Sequence, residues 1–337
     1  MDICYVLDRP ELCGGVKVVF QHAQLLTAQG HGVTILGLGR RPRWIDFSGR
    51  YHDYRRRPPR LKDQDLVIGT YFTTISTALE LGLGPVAHFC QGYEADSSHL
   101  EPVRDKIEAV YRQDLPTFTV TPFLAQRLGR KFGRRAFVVP PPVDDVFRPT
   151  DRRSPEARPW IMIHGIFESE LKNVATALEA VLLLRQRGLD CRVVRISILP
   201  LSPQEKAILK PDRYLKSVSP TKVARRLRDC DLLLFPSLPA EGFGLPLVEA
   251  MASRIPAVSS RIPSTEYIAG RAVNLVTPHD PAAFAEAAQA LLTSPELWRR
   301  AQEKGYQAVQ RFLPGQVGAR LEEGLKWAAK EVSGGGA

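Results

Sequence analysis

Long apolar runs are missing from this sequence. No stretch of its 337 residues comes near the eighteen or so uninterrupted apolar residues that a membrane-spanning helix needs. Met1 leads directly into a strand-like run at residues 3–7, so no signal peptide is expected either. Cysteine is also scarce, because the five cysteines are scattered and form neither a C-x-x-C pair nor zinc-finger spacing. These absences predict a reduced, cytoplasmic protein.

Low-complexity segments and short repeats are absent as well. The composition, 44% hydrophobic and 24% charged, is that of a folded globular protein. Short apolar runs alternate with helix-length amphipathic segments, which predicts βα repeats and parallel sheets. The expected strands lie at residues 3–7, 33–38, 66–68, 86–89, 118–120 and 137–139 in the first half, and at 160–163, 192–196, 232–235, 256–259 and 273–276 in the second.

The chain length suits two domains of roughly 150 residues each. A charged, proline-rich segment at residues 148–159 lacks any apolar period and is the best linker in the sequence. We therefore expect a Rossmann-like domain at residues 1–150 and a second one at residues 151–314. The C-terminal helix, predicted at about residues 315–332, is expected to pack back on the first domain.

Positive charge is concentrated in one segment. The chain carries a net charge of +10, and residues 40–62 contain nine basic residues against two acidic ones. Such an excess indicates an anionic partner, for which a nucleotide, a phospholipid, a nucleic acid and an acidic polysaccharide all qualify. A charge run can equally be a solvated loop.

The most informative segment is residues 235–252, which reads FPSLPAEGFGLPLVEAMA. An apolar strand ends at Phe235, Gly242 and Gly244 form a loop, and Pro246 marks the start of a helix. Unpaired N–H groups at a helix N-terminus favour phosphate, and glycine allows the phosphate to approach closely. The carboxylates of Glu241 and Glu249, eight positions apart, are well suited to accept hydrogen bonds from sugar hydroxyl groups.

This run resembles the signature of retaining glycosyltransferases of the GT-B type, in which a proline-serine pair, E-G-F-G-L and E-A-M-A follow one another. The resemblance continues at Gly14 and Gly15 before the first helix, and at residues 139–149, which are similar to the end of the family's first domain. It implies two doubly wound α/β domains facing each other across a cleft, and transfer of a sugar from a nucleoside-diphosphate sugar. No separate cofactor is expected.

The resemblance also implies a role for each matching residue. Glu249 would bind the ribose, Glu241 would face the donor sugar, Lys172 would neutralise the leaving diphosphate, and His88 would lie near the reacting sugar. The other expected donor-binding residues are Gly242, Phe243, Gly244, Leu245, Gly14, Gly15 and Gly165.

The sequence departs from the family pattern at several positions. Ile166 stands where many relatives carry an arginine beside the lysine, and Arg195 lies where a glycine-containing turn is expected. The segment at residues 89–94 is similar to a subset of rhamnosyltransferase-like members, which favours a role in cell-surface polysaccharide synthesis.

No catalytic metal is expected. The acidic pairs Asp63 with Asp65 and Asp229 with Asp231 each precede a strand, whereas ligands of parallel sheets bind outside the carboxyl ends of strands.

The expected partners are a nucleotide-sugar donor and a glycan, lipid-linked or small-molecule acceptor. The basic segment would border the acceptor side, with Arg55, Arg56 and Arg57 attracting a lipid phosphate, an acidic glycan or the anionic inner face of the cytoplasmic membrane. Two alternatives remain open. One is another GT-B enzyme, either a sugar-nucleotide epimerase or a phosphorylase, and the other is a non-catalytic protein that binds polyanions or nucleic acid. No RRM, KH or zinc-finger signature supports a nucleic-acid partner.

Overall fold

A computed structural model describes residues 1–55, 61–152 and 154–334. Contacts between Cα atoms divide the chain into two compact units. The first unit comprises Met1–Pro142 together with Pro314–Ala337, and the second comprises Val143–Leu313. The sequence analysis placed the boundary at residue 150, which lies eight residues after the division at Pro142. Of the three arginines singled out in the basic segment, Arg56 and Arg57 lie outside the described residues.

The first unit is built on a seven-stranded parallel sheet in the order β3-β2-β1-β4-β5-β6-β7. Its strands are β1 (Asp2–Val6), β2 (Gly32–Gly37), β3 (Arg50–Asp53), β4 (Leu66–Gly69), β5 (Val86–Cys90), β6 (Thr117–Thr119) and β7 (Ala136–Val138). Its helices are α1 (Gly14–Ala28), α2 (Phe72–Leu81), α3 (Arg104–Tyr111), α4 (Pro122–Phe132) and the C-terminal α12 (Pro314–Gly334).

The second unit carries a six-stranded parallel sheet in the order β10-β9-β8-β11-β12-β13. Its strands are β8 (Trp160–His164), β9 (Arg192–Ser197), β10 (Arg213–Lys216), β11 (Leu232–Phe235), β12 (Ala257–Ser260) and β13 (Asn274–Val276). Its helices are α5 (Val174–Gln186), α6 (Pro203–Ile208), α7 (Pro220–Arg228), α8 (Leu245–Ala252), α9 (Pro263–Ala269), α10 (Pro281–Thr293) and α11 (Pro295–Val309).

The central strands of both sheets are buried on both faces, which explains why they read as continuous apolar runs. In the second unit, α5 and α10 pack together against the sheet and bury residues such as Leu178, Val181 and Phe284 completely. The expected α/β fold with two parallel sheets is confirmed.

Two strands were not expected from the sequence. Both β3, with the sequence RYHD, and β10, with RYLK, are outermost in their sheets, and each begins and ends with a charged residue. An edge strand pairs along one side only, and these two carry charged residues in place of the apolar run that revealed the other strands. The basic segment at residues 40–62 is therefore not a simple loop, because it contains β3.

The segment expected to be a linker lies against the second unit. The Asp231 carboxylate is fully buried and accepts hydrogen bonds from the Glu156 N–H at 2.9 Å and the Trp160 N–H at 2.7 Å, and it also pairs with Arg152. Asp231 precedes β11, as anticipated, and its hydrogen bonds there hold the chain entering β8.

Candidate functional site

In the second sheet, the strand order reverses between β8 and β11. In doubly wound sheets, ligands bind at such a reversal, outside the carboxyl ends of the strands. The two segments that leave these strands at this edge are residues 165–173 after β8 and residues 236–244 after β11. The predicted donor-binding residues Gly165, Lys172, Glu241, Gly242, Phe243 and Gly244 all lie on these two segments.

An ion pair connects the two segments. The Lys172 Nζ donates to Glu241 Oε2 at 2.5 Å, and 28% of the lysine side chain and 11% of the glutamate side chain are exposed. The Leu238 N–H donates to the Leu171 carbonyl at 2.9 Å beside this pair. The two residues that were expected to meet the diphosphate and the donor sugar are thus in direct contact with each other.

Asn173 fixes the helix that follows Lys172. It is the N-cap of α5 with a left-handed backbone (φ +46°), and its side-chain Nδ2 donates to the Pro236 carbonyl at 3.1 Å. From the sequence alone, an asparagine that precedes a helix can be read only as a cap residue. Its second contact, across to the loop after β11, needs the tertiary structure to be seen.

Gly244 closes the loop after β11 and forms the N-cap of α8. Its φ of +116° lies in a region that residues with a side chain rarely adopt, and an added Cβ would lie 3.2 Å from the Phe235 ring. Helix α8 begins at Leu245, so Pro246 occupies its second position rather than the first. In this first turn Pro246 has no N–H, and the Leu247 N–H donates to the Gly244 carbonyl at 3.0 Å. An anion at this helix N-terminus would therefore meet the N–H groups of Leu245 and of the loop before it.

The remaining predicted residues of this loop are largely buried. Phe243 is 5% exposed and packs edge-on against Phe312 with a centroid distance of 5.4 Å. Only the backbone of Phe243 is therefore suited to contact a donor. Glu249 lies in α8 with 6% of its surface exposed, and Leu245 is half-buried.

Arg195 stabilises the backbone at this edge of the second sheet. It is completely buried, its Nε donates to Glu205 Oε1 at 2.5 Å, and its Nη2 donates to the Gly165 carbonyl at 3.0 Å. The sequence marked this arginine only as a departure from the family. Glu205 neutralises the guanidinium group, which also donates to the Gly165 carbonyl. Arg195 therefore does not replace the arginine that is absent at position 166.

In the first unit, Gly14 and Gly15 begin α1 after the carboxyl end of β1. The Gln91 Nε2 donates to the Gly15 carbonyl at 3.1 Å, and an added Cβ on Gly15 would lie 3.4 Å from the same nitrogen. An added Cβ would make ordinary van der Waals contact at this distance, so the approach of the loop after β5 does not itself require glycine at position 15. Gln91 was not singled out from the sequence.

His88 does not occupy the position expected of it. Its side chain is completely buried in the first unit, where its Nδ1 accepts from Arg134 Nη1 at 2.9 Å and its ring packs edge-on against Tyr111. Burial and the neighbouring Arg134 guanidinium hold the pKa of His88 well below its usual range, so the ring is neutral. A side chain with no exposed surface cannot touch a sugar, and the expected role near the reacting carbon is therefore withdrawn.

Arg55 is partly neutralised within its own segment. Its Nε and Nη2 donate to the two carboxylate oxygens of Asp53 at 3.0 and 2.9 Å, and this pairing lowers the pKa of Asp53 to about 2. Half of the Arg55 side chain is exposed.

In the part of the chain that the structure describes, no group of three or more His, Cys, Asp or Glu side chains is arranged to hold a metal ion. Over the same residues, no helix combines the length and the apolar character needed to cross a membrane.

Comparison with known proteins finds likenesses over part of the sequence. Residues 158–294 match the family described as "Glycosyl transferases group 1". An "MMP alpha-(1->4)-mannosyltransferase" from Mycolicibacterium hassiacum is 34% identical over 194 residues, which are 54% of this chain and 46% of the relative. A "Phosphatidyl-myo-inositol mannosyltransferase" from Mycobacterium leprae is 33% identical over 114 residues, covering 33% and 30%. The chain thus spans less than half the length of both of these relatives.

Solved structures extend the likeness in fold to almost the whole chain. Sucrose-phosphate synthase from Thermosynechococcus elongatus superposes with a TM-score of 0.76 at 16% identity, covering 96% of this chain and 98% of that one. Anabaena HepE, solved with UDP and glucose, gives a TM-score of 0.77 at 13% identity, covering 97% and 100%. The chain therefore has the fold of GT-B glycosyltransferases, and its residues 158–294 match the model of the group 1 glycosyl transferases.

Proposed function

We propose that this protein is a retaining glycosyltransferase that moves a hexose from a nucleoside-diphosphate sugar to an acceptor hydroxyl group. The observation that carries the proposal is the contact between Lys172 and Glu241 at the carboxyl edge of the second sheet, beside the N-terminus of α8. The Lys172 ammonium group is suited to a diphosphate, and the Glu241 carboxylate is suited to sugar hydroxyl groups. The match of residues 158–294 to the group 1 glycosyl transferases supports the same reading.

In the proposed reaction, the bond between the anomeric carbon and the diphosphate oxygen breaks while the acceptor oxygen bonds to the same carbon. Negative charge grows on the leaving diphosphate, and the Lys172 ammonium and the N–H groups at residues 242–245 stabilise it. The acceptor's proton passes to the departing phosphate oxygen, on the same face, so the anomeric configuration is retained. Glu249 holds the ribose in this scheme, and no metal ion takes part.

The acceptor side belongs, in this proposal, to the first unit with its basic segment. One of the two relatives is named as a phosphatidyl-myo-inositol mannosyltransferase, which supports a phospholipid-linked acceptor and attachment to an anionic membrane surface from the cytoplasm. Both relatives are named as mannosyltransferases, which favours mannose as the sugar. The rhamnosyltransferase-like pattern at residues 89–94 remains a sequence-based prediction.

Calorimetry with UDP, GDP, ADP and TDP tests the donor site. We expect one of the four to bind, and Lys172→Met to lower turnover of the corresponding nucleotide sugar by about 10²- to 10³-fold, as loss of a group that stabilises developing charge does. Lys210→Met, which removes an exposed lysine elsewhere in the second unit, is the matched control.

Failure of all four nucleotides to bind, or full activity of Lys172→Met, would contradict the proposal. The rival functions give different results. An epimerase converts the nucleotide sugar without any acceptor, and a polyanion-binding protein shows steeply salt-dependent binding to RNA or DNA with no response to nucleotides.

A further inference from the structure

Positive charge is also concentrated in one stretch of the second unit. Residues 203–229 contain eight basic residues against three acidic ones, a balance of +5, which is half of the chain's net charge of +10. This stretch comprises α6, the outermost strand β10 and α7. It is separate from the basic segment of the first unit, so the second unit has a basic surface of its own.

The three acidic residues of this stretch are all engaged within the protein. Each forms an ion pair with an arginine, and one of these pairs is completely buried. The pairs are Glu205 with Arg195 at 2.5 Å, Asp212 with Arg185 at 2.7 Å, and Asp229 with Arg226 at 3.1 Å. Their negative charge is therefore already balanced.

Six basic side chains of the same stretch are exposed to solvent. Over the described residues, none of the six forms an ion pair with a carboxylate. They are Lys206, Lys210, Lys216, Lys222, Arg225 and Arg228. Their charge is therefore available to an anionic partner.

Helix α7 presents three of these side chains along one side. Its apolar residues are buried against the unit, whereas Lys222, Arg225 and Arg228 are exposed and follow one another at intervals of three. Residues three apart are neighbours on a helix surface. The exposed side of α7 is therefore a row of positive charges.

A loop with two exposed aliphatic side chains adjoins this row. Ile198 and Leu199, which follow β9, are 43% and 38% exposed, and in the described part of the chain they are the only exposed large hydrophobic residues adjacent in sequence. Ser217 Oγ donates to the Ile198 carbonyl at 3.0 Å, and the Tyr214 hydroxyl donates to the Leu199 carbonyl at 2.8 Å. These bonds hold the loop against the end of β10, close to Lys216.

We propose that this side of the second unit binds an anionic phospholipid bilayer. The basic side chains of β10 and α7 contact the lipid phosphates, and Ile198 and Leu199 enter the boundary between headgroups and acyl chains. The inference goes beyond the proposed reaction and does not depend on it, because the surface is separate from the Lys172–Glu241 pair and from the first unit's basic segment.

The combination of charge and aliphatic side chains favours a bilayer over a nucleic acid. Proteins that bind a membrane surface combine attraction to anionic lipids with burial of apolar side chains at the interface. Surfaces for single-stranded nucleic acid instead expose aromatic rings on which bases stack. Residues 198–229 contain one aromatic residue, Tyr214, and it is half-buried.

Flotation of the full-length protein with vesicles tests the surface. We expect binding to vesicles of equal parts phosphatidylcholine and phosphatidylglycerol, and none to phosphatidylcholine alone. Each basic residue near an anionic surface contributes roughly fivefold in affinity, so the variant that combines Lys222→Gln, Arg225→Gln and Arg228→Gln should bind at least about tenfold more weakly. The double variant Ile198→Ser with Leu199→Ser should bind about threefold more weakly, because less apolar surface is buried.

The matched control removes the same charge elsewhere on the second unit. It combines Arg299→Gln, Arg300→Gln and Lys304→Gln, at three exposed positions of α11. We expect this variant to bind the mixed vesicles as wild type does. Thermal unfolding shows that each variant is folded, and calorimetry with a nucleoside diphosphate tests the donor site separately.

Four results would overturn the proposal. Wild type may bind no mixed vesicles, or bind RNA in their place. The α7 variant may bind vesicles like wild type, which would assign the binding to another surface such as the first unit's basic segment. Equal losses in the α7 variant and in the α11 control would reflect net charge alone. Loss of nucleotide binding in the Ile198 and Leu199 double variant, with vesicle binding intact, would assign the loop to the donor site.

The same measurements keep this proposal apart from the proposed function. A wild-type protein that binds a nucleoside diphosphate but no vesicles contradicts the bilayer surface alone. One that binds mixed vesicles through α7 but none of the four nucleotides contradicts the glycosyltransferase function alone.

Discussion

At the scale of single residues, the place of a side chain could be predicted where a local motif sets it. It could not be predicted where a partner distant in the sequence sets it. Glu241 and Lys172 are 69 positions apart, and their contact follows from the reversal of strand order between β8 and β11. Each of these residues lies in a motif at the end of a strand, so the edge of the sheet at which it lies could be predicted. His88 was misjudged for the opposite reason, since Arg134, 46 positions away, accounts for its polar character within the core.

Glu94 gives a pH dependence that can be measured. Burial raises the pKa of Glu94 from 4.5 to about 7, while the Tyr111 hydroxyl, the Phe72 N–H and Arg134 partly oppose this rise. Cys90 and Tyr71 also lie in its surroundings. The folded state therefore binds a proton more tightly than the unfolded chain does, so this contribution to stability is complete below pH 4.5 and is lost as the pH rises through 7.

Glu94→Gln should remove that dependence, because the amide cannot ionise but still accepts hydrogen bonds through its oxygen. At pH 8 we expect the free energy of unfolding of the variant to exceed that of wild type by about 1 to 3 kcal/mol, and the difference to vanish near pH 4.5. Urea unfolding across this pH range measures it. Glu80→Gln, at an exposed position of α2, should change neither value. A difference that grew towards low pH would contradict the assignment.

At the scale of elements, inner strands and capped helices were readable from the sequence, whereas two of the four edge strands, β3 and β10, were not. The apolar run at residues 232–235 has one structural explanation, a strand buried on both faces, and the structure confirms it as β11. The RYHD and RYLK strands pair along one side only, so their sequences carry no comparable signal. Their existence depends on the neighbouring strands β2 and β9, which offer free edges.

The turn into α8 has a conformation that only glycine adopts easily. Gly244→Ala should destabilise the second unit by about 1 to 3 kcal/mol, because φ is +116° and the new Cβ would lie 3.2 Å from the Phe235 ring. If this turn binds phosphate, the substitution should also weaken nucleoside diphosphate binding more than the loss of stability explains. Calorimetry below the unfolding transition measures the binding.

Gly315→Ala is the control for that substitution, since Gly315 lies in α12 with nothing within 4 Å of an added Cβ. An alanine there should leave nucleotide binding unchanged. Unaltered stability and unaltered nucleotide binding in Gly244→Ala would show that the turn tolerates a side chain and does not bind phosphate.

At the scale of the whole molecule, the chain forms two units with separate cores, and the first is completed only by the last helix. In α12, Trp327 stacks on Phe137 with a centroid distance of 5.7 Å, and Glu322 accepts from His31 at 2.5 Å. The sequence analysis expected the C-terminal helix to pack back on the first domain. What it could not supply was the set of partners, because His31 and Glu322 are 291 positions apart and Phe137 and Trp327 are 327 − 137 = 190 positions apart.

Two cores imply two unfolding transitions, and each transition should respond to a different change. Trp327→Ala removes a half-buried ring from the first unit and should lower one transition only, at a cost of about 2 kcal/mol. The nucleoside diphosphate that binds should raise the other transition only, because its proposed site lies within the second unit. Differential scanning calorimetry of wild type and variant, each with and without the nucleotide, separates the four cases. If a single transition shifts with both changes, the two units unfold together. If the nucleotide raises the same transition that Trp327→Ala lowers, the donor site lies in the first unit.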